Sequence, residues 1–302
     1  MTEDFNTRRR QLLVDGSRGA VLATLSSLAS LALAQTGRGK PPTRMPSIFI
    51  GHGSPMNAIQ DNGFTRHLTQ WGRQLGRPAA ILSVSAHWLT PGQTAVGVQD
   101  RPRTLHDFSG FPAPLHAMQY PAPGAPGFAR QAAASLKTVS TDATEDWGLD
   151  HGTWTVLHHL FPKADIPVFQ LSIDYAQPAA FHYRLGRELA ALREQGVLVL
   201  GSGNVVHNLR ATERGVADSI MASKPWAQSF DNALRQALLA RDDHALVDYA
   251  RLDAGARMAV PTPDHYWPFL YALGAAGARE KSVMTYEGFQ AGTISMRCVQ
   301  WG

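Results

Sequence analysis

Short apolar runs set between longer stretches of helical spacing constrain this chain more than any other feature. Ser47-Ile48-Phe49-Ile50, Ala80-Ile81-Leu82-Ser83-Val84-Ser85 and Val197-Leu198-Val199-Leu200 show little polar alternation, and 166–173 reads the same way. A strand with one wet face alternates apolar and polar residues, whereas a strand apolar on both sides belongs between two covering layers. The intervening segments supply those layers. In 64–75, Leu68, Trp71 and Leu75 fall on one helical face. Helices are also expected at 127–136, 153–160, 180–195 (closed by Gly196), 226–240, 244–251 and 266–276. Strands at 282–286 and 293–299 close the chain and add antiparallel pairing. The Pro-rich stretch 91–126 reads as a long loop with little regular structure. The expected fold class is α/β: a three-layer α/β/α sandwich on a mainly parallel, mixed central sheet, forming one domain over 45–302.

The first residues read differently. Thr7-Arg8-Arg9-Arg10-Gln11-Leu12-Leu13 sets an arginine pair before an apolar run, 19–34, which ends in Ala32-Leu33-Ala34. That ending has the small-x-small spacing of a leader-peptidase site. Sixteen residues, several of them Ser, Thr or Gly, are short of the roughly 20 needed to span a bilayer. Residues 1–34 therefore resemble a twin-arginine export signal, and the polar, Gly- and Pro-containing 35–44 a linker. The expectation is a periplasmic protein that engages the twin-arginine export machinery and has no stable membrane insertion after cleavage.

Lys and Arg are scattered and the formal net charge is only +4, so no basic footprint points to a nucleic acid. A single cysteine, Cys298, excludes an internal disulfide, a CxxC redox pair and a cysteine zinc knuckle. Any bound metal must then be held by His, Asp or Glu.

Three of the twelve histidines stand just past apolar strands. The first strand runs into Gly51-His52-Gly53-Ser54-Pro55. The second runs into Ser85-Ala86-His87-Trp88. The strand at 197–200 runs into Gly201-Ser202-Gly203-Asn204-Val205-Val206-His207-Asn208. Ligand sites in buried parallel sheets form outside the carboxyl ends of the strands, so these side chains converge on one edge by default. His265, in Pro263-Asp264-His265-Tyr266-Trp267-Pro268, precedes a helix, and Asp264 is placed to cap or orient it. His151, in Gly148-Leu149-Asp150-His151-Gly152, looks loop-like. His67, His158, His159, His182 and His244 lie in helical stretches and read as ordinary structural or surface imidazoles.

Neutral imidazole suits zinc, iron, copper or nickel. From the residues alone three readings stay open. A zinc site would generate hydroxide for hydrolysis. An iron site would bring O₂ and a chelating substrate together, with a third histidine or a carboxylate such as Asp264 or Glu287 completing it. A third possibility is a non-catalytic protein that binds metal or aromatic compounds.

The ordered set of motifs resembles the class III extradiol ring-cleavage dioxygenases, a LigB-like family, and within it the DOPA-dioxygenase-like branch. It is carried by Phe49-Ile50-Gly51-His52-Gly53-Ser54-Pro55-Met56, Ser85-Ala86-His87-Trp88, His106-Asp107-Phe108 with Gly110-Phe111-Pro112, and Tyr120-Pro121-Ala122-Pro123-Gly124. Leu149-Asp150-His151-Gly152, Gly201-Ser202-Gly203-Asn204 with His207-Asn208-Leu209, and Asp264-His265-Tyr266 complete it. The resemblance runs from Met45 to the end. It implies that His52, His87 and His265 are metal ligands, that His207 is either a further ligand or an acid/base group, and that His151 is an acid/base group. It also implies Fe(II) as the working metal, with Zn(II) an alternative occupant on isolation, and a small catechol and O₂ as substrates. The aromatic stretch from Phe108 to Tyr120 is expected to form a pocket wall.

Overall fold

The structure, a computed structural model, describes residues 43–212 and 218–302. The expected export signal at 1–34 and all but the last two residues of the linker lie outside the described residues. In chain order the main elements are β1 (Ser47–Gly51), α1 (Gly63–Leu75), β2 (Ala80–Ser85), β3 (Thr94–Gly97), α2 (Pro126–Ser135), β4 (Thr141–Thr144), α3 (His151–Leu160) and β5 (Val168–Gln170). They continue with α4 (Ala179–Leu189), β6 (Val197–Gly203), α5 (Pro225–Ala240), α6 (Trp267–Ala275), β7 (Val283–Tyr286), β8 (Phe289–Gln290), β9 (Ile294–Ser295) and β10 (Cys298–Trp301).

Six strands form the central sheet in the order β5-β2-β6-β1-β10-β7. β5, β2, β6 and β1 run parallel, while β10 pairs antiparallel with both β1 and β7. The alternation along each strand divides two apolar layers. Phe49, Leu82, Val84, Val197 and Val199 face one layer, with Leu185, Leu189, Phe230, Phe269, Leu270 and Leu273. Ile48, Ile50, Ile81, Leu198 and Leu200 face the other, with Phe64, Leu68, Trp71, Trp154 and Leu157. Both faces are dry, which is why these strands carry little polar alternation, and the serines of β2, Ser83 and Ser85, are themselves buried. α4 and α6 therefore cover one side and α1 and α3 the other, giving the three-layer α/β/α sandwich. Each fully buried Leu or Phe contributes on the order of 1.5–3 kcal/mol. No described helix is long and apolar enough to cross a membrane.

Local chemistry sets the ends of elements. Asn62 caps α1 in a capping box with Thr65. Asp150 caps α3 by accepting from the Thr153 amide at 3.1 Å. His151 is consequently the first residue of a helix and not part of a loop.

Two further expectations need correction. The stretch 91–126 is not irregular throughout: it holds β3, which pairs in parallel with β4, and a helical turn at Ala113–His116. Four residues are too few for a period to register in the sequence. The strand expected at 293–299 is split into β9 and β10. Between them Arg297 turns its guanidinium inward to Asp231 and to Glu287 at 2.7 Å, and the β10–β7 register shifts between Cys298 and Val299.

Candidate metal centre

The carboxyl ends of β1, β2 and β6 lie side by side, and the segments leaving them carry the histidines. Gly51 sits opposite Gly203, and the His52 amide donates to the Gly203 carbonyl at 3.1 Å. Gly203 must be glycine because a Cβ there would stand 2.2 Å from the His265 carbonyl oxygen. That close approach lets the Asn204 amide donate to the same oxygen at 2.9 Å and draws His265 to the end of β6. After His52 the chain turns through Gly53 at φ 64°, a left-handed conformation that favours glycine.

His52, His87 and His265 each offer a ring nitrogen, and the three lie within 4.8 Å of one another. His52 Nε2 and His87 Nε2 are 3.2 Å apart. Two imidazoles on one ion at about 2.1 Å would place their nitrogens roughly 3.0–3.4 Å apart at four- or six-coordinate angles, so the spacing fits a shared ion.

Hydrogen bonds fix the tautomers of His52 and His265. Ser202 Oγ donates to the Gly152 carbonyl, so at 3.0 Å it accepts from His52 Nδ1, leaving the Nε2 lone pair of His52 toward the cluster. His265 Nδ1 donates to the Asp264 carboxylate, freeing its Nε2 in the same way. Carboxylate and hydroxyl partners of this kind orient metal-binding histidines. Burial favours the neutral form of His52 and His87, and repulsion from neighbouring histidines adds to it, so both are held well below the ordinary histidine value. Burial would raise the Asp264 pKa, but its hydrogen bond to His265 and the charge there more than reverse this, holding it far below the usual carboxylate range.

His151 and His207 flank the trio. Asp107 accepts the His151 backbone amide at 2.8 Å and its Nδ1–H at 2.9 Å, gripping the residue at two points. That leaves His151 Nε2 as a proton acceptor. Its ring lies 3.8 Å from that of His87, centroid to centroid. His207 stacks on His265 at 3.6 Å with the planes 6° apart. It groups with Asp264 and His265 rather than with His52 and His87, so the structure does not bring it into the trio. Burial, followed by repulsion from His265, holds His207 well below the ordinary value too.

All five histidines line one cavity of ≈ 290 Å³, near the lower end for small-molecule sites. Phe108, Phe111, Leu209 and Ile294 form its apolar wall, and Ser54 and Asp218 are also on it. The aromatic stretch thus supplies Phe108 and Phe111. Tyr120 is instead buried behind them, its hydroxyl donating to the Phe161 carbonyl at 3.0 Å. Glu287, one of the carboxylates considered as a ligand, is paired with Arg297 at 2.7 Å and Arg235 at 3.1 Å and does not line the cavity.

Sequence reasoning gave no role to Asp107, Asp150 or Ser202. Asp150 accepts from Ser85 Oγ at 2.6 Å and Gln170 Nε2 at 2.7 Å, tying the ends of β2 and β5 to the start of α3. Its burial and the nearby Asp107 raise its pKa, against which these donors act. The only available signal was position, since each of the three stands within a motif that also carries a histidine or a strand end.

Comparison with known proteins agrees with this geometry. A family described as the catalytic LigB subunit of aromatic ring-opening dioxygenase matches residues 45–296. A "4,5-DOPA dioxygenase extradiol" of Escherichia coli K12 is 47% identical over 264 residues, covering 86% of this chain and 96% of the relative. A protein of the same name from Beta vulgaris is 38% identical over 260 residues, covering 82% and 93%. The crystal structure of an uncharacterised E. coli K12 protein superposes with a TM-score of 0.74 at 42% identity, covering 86% of this chain and all of that one. With its histidine-lined cavity and this match over nearly the whole described domain, the chain belongs to the LigB family of aromatic ring-opening dioxygenases.

Proposed function

We propose that this protein is an extradiol dioxygenase that opens the ring of a small, DOPA-like catechol, with iron(II) held by His52, His87 and His265. As a family member it is an oxidoreductase, which sets aside the hydrolase and non-catalytic readings. One observation carries the finer reading. Three imidazole nitrogens meet within 4.8 Å, and a carboxylate-gripped histidine stands beside them over a cavity with an aromatic wall. A redox-active divalent ion in that seat would supply the electronic link between a chelating catechol and O₂.

The chain's own residues do the rest. Phe108 and Phe111 hold the ring and exclude water. His151 takes a proton from a catechol hydroxyl at Nε2 and later returns it, while Asp107 keeps Nδ1 protonated and the ring oriented. His207, stacked on His265, steadies that ligand and presents a second neutral imidazole to the cavity. Zinc bound by the same nitrogens would occupy the seat without redox chemistry.

The test is anaerobic loading with iron(II), followed by a panel of catechols with O₂ uptake recorded. Catechol-dependent uptake with a yellow ring-opened product is expected from the iron form, and none from the zinc form. An iron-loaded protein inert to the whole panel would overturn the proposal.

We also propose that the chain is exported to the periplasm by the twin-arginine route and that residues 1–34 are removed there. The Arg8-Arg9 pair, the short apolar run and the start of the family match at residue 45 support this reading. Replacing Arg8 and Arg9 together by lysine should leave the protein in the cytoplasmic fraction; continued export would refute it.

A further inference from the structure

Charge on the cavity wall carries information about the substrate that the metal seat does not. Two of the carboxylates around the histidines are already committed. Asp107 is bound at both oxygens by His151, and Asp264 accepts from His265 at Oδ2 and from the Thr262 side chain. Asp218 is different. It lines the same cavity, is half-buried, and accepts from Ser54 Oγ through one oxygen, Oδ1, only. Its backbone is pinned as well: Gln290 Nε2 donates to the Asp218 carbonyl at 3.2 Å, while Gln290 Oε1 accepts from the Ser54 amide at 2.7 Å. The carboxylate is thus held in place on the wall with Oδ2 unpartnered among the described residues. No lysine or arginine lines the cavity among the described residues.

We infer that Asp218 is a specificity residue that receives a protonated amine on the side chain of the catechol, so the enzyme selects ammonium-bearing catechols over neutral and carboxylate-bearing ones. The inference rests on the ring-opening reading proposed above. An alkylammonium stays protonated at neutral pH and offers several N–H donors, which matches a single free carboxylate oxygen. A carboxylate on the substrate finds no cation among the described residues of this wall and meets Asp218 as a like charge. A carboxyl group on an amino-acid side chain is therefore not required for binding; the amine is.

The test uses the full iron-loaded chain and three catechols that differ at one substituent: aminoethyl, ethyl and carboxyethyl. For the wild type, kcat/KM for the aminoethyl compound should exceed that for the ethyl compound on the order of tenfold, the scale of one hydrogen bond to a charged group. The carboxyethyl compound should fall below both. In Asp218→Asn the amine-to-ethyl ratio should drop toward one, with the loss in KM rather than kcat. Asp218→Glu, which keeps the charge, should retain a preference for the amine. A wild-type ratio at or below one overturns the inference, as does a ratio unchanged in Asp218→Asn. Should the asparagine variant not fold, the wild-type ratio and the glutamate variant decide. Failure of the wild type to open any of the three would sink the ring-opening reading and this inference together, whereas turnover of all three without selection sinks only the inference.

Discussion

The two ends of the central sheet treat buried polar groups in opposite ways. At the end where β1 and β6 begin, Arg193 is fully buried and every arm is answered. Its Nε donates to the Met45 carbonyl at 2.8 Å, and its Nη1 to the Ala275 carbonyl and Glu280, both at 2.8 Å. Its Nη2 donates to the Trp301 carbonyl at 3.0 Å and to Glu280 at 3.1 Å. At the other end, His52, His87 and His265 bring one ring nitrogen each within 4.8 Å of one another. Satisfied polar groups close an architecture; convergent ring nitrogens mark a place built for a ligand. The same sheet carries both because its parallel strands begin at one edge and end at the other.

Substitutions at the two ends should separate these roles. The largest effect is expected from His87→Ala, which should abolish turnover and lower metal retention by more than the 10–100-fold typical of an outer partner, as read by metal analysis (roughly). It should cost the metal-free protein no more than about 1 kcal/mol in denaturant unfolding. Arg193→Met should do the reverse. Leaving Glu280 and three carbonyls without their cation should cost about 3–5 kcal/mol of stability, while activity per folded molecule stays intact. If Arg193→Met instead spared stability and emptied the metal seat, the contrast between the ends would be wrong.

Within the histidine end, Asp107→Asn separates metal binding from proton transfer. The amide can accept only one of the two His151 N–H groups and no longer supports a developing imidazolium. A fall in kcat of about 100-fold with unchanged metal content is expected. Loss of metal in proportion to activity would make Asp107 a support of the metal seat instead.

The smallest effect distinguishes the two ends by pH. In the metal-free protein His52, His87 and His207 are held below 6.5, by burial first and by neighbouring histidines next. The unfolded chain then takes up protons that the folded chain refuses. Their contribution to stability is full above pH 6.5 and is lost as pH falls below it. Glu280 behaves as an acid. Burial raises its pKa, but the hydrogen bond from Arg193 and then that from the Gly277 amide bring it down from 4.5 to about 2. Its contribution is present above pH 4.5 and is lost between there and about 2. Denaturant unfolding of metal-free protein should therefore show two separate acid windows. Arg193→Met should remove the lower one alone, and His87→Ala should shrink the upper one.

The sequence made the layers readable because burial on both faces leaves a compositional mark. Residues 80–85 and 197–200 show it, and most long helices show their period within a residue or two of the observed ends, although the one expected over 180–195 stops at Leu189 and runs on as a 3₁₀ segment to Gln195. It was silent on β3 and β4, whose four residues carry no period, and on the break between β9 and β10, where Arg297 points inward to partners far along the chain. The histidines past β1, β2 and β6 were visible because an apolar strand running into a histidine is a local pattern, marked also by glycine at β1 and β6. Asp264 was visible as an orienting group because it adjoins His265. Asp107 was not, since its partner lies forty-four residues away.

What the sequence by itself determined is therefore the local part: which segments are buried strands, which are helices, and which imidazoles stand where strands stop. Only the tertiary structure decided which nitrogens face one another, that His207 stacks on His265 rather than joining the trio, and which carboxylate holds which ring. The reason is physical. Periodicity and capping act over a few residues and leave their trace in neighbouring letters, whereas a tautomer or a shared ligand position depends on partners brought together through space by the closure of the sheet.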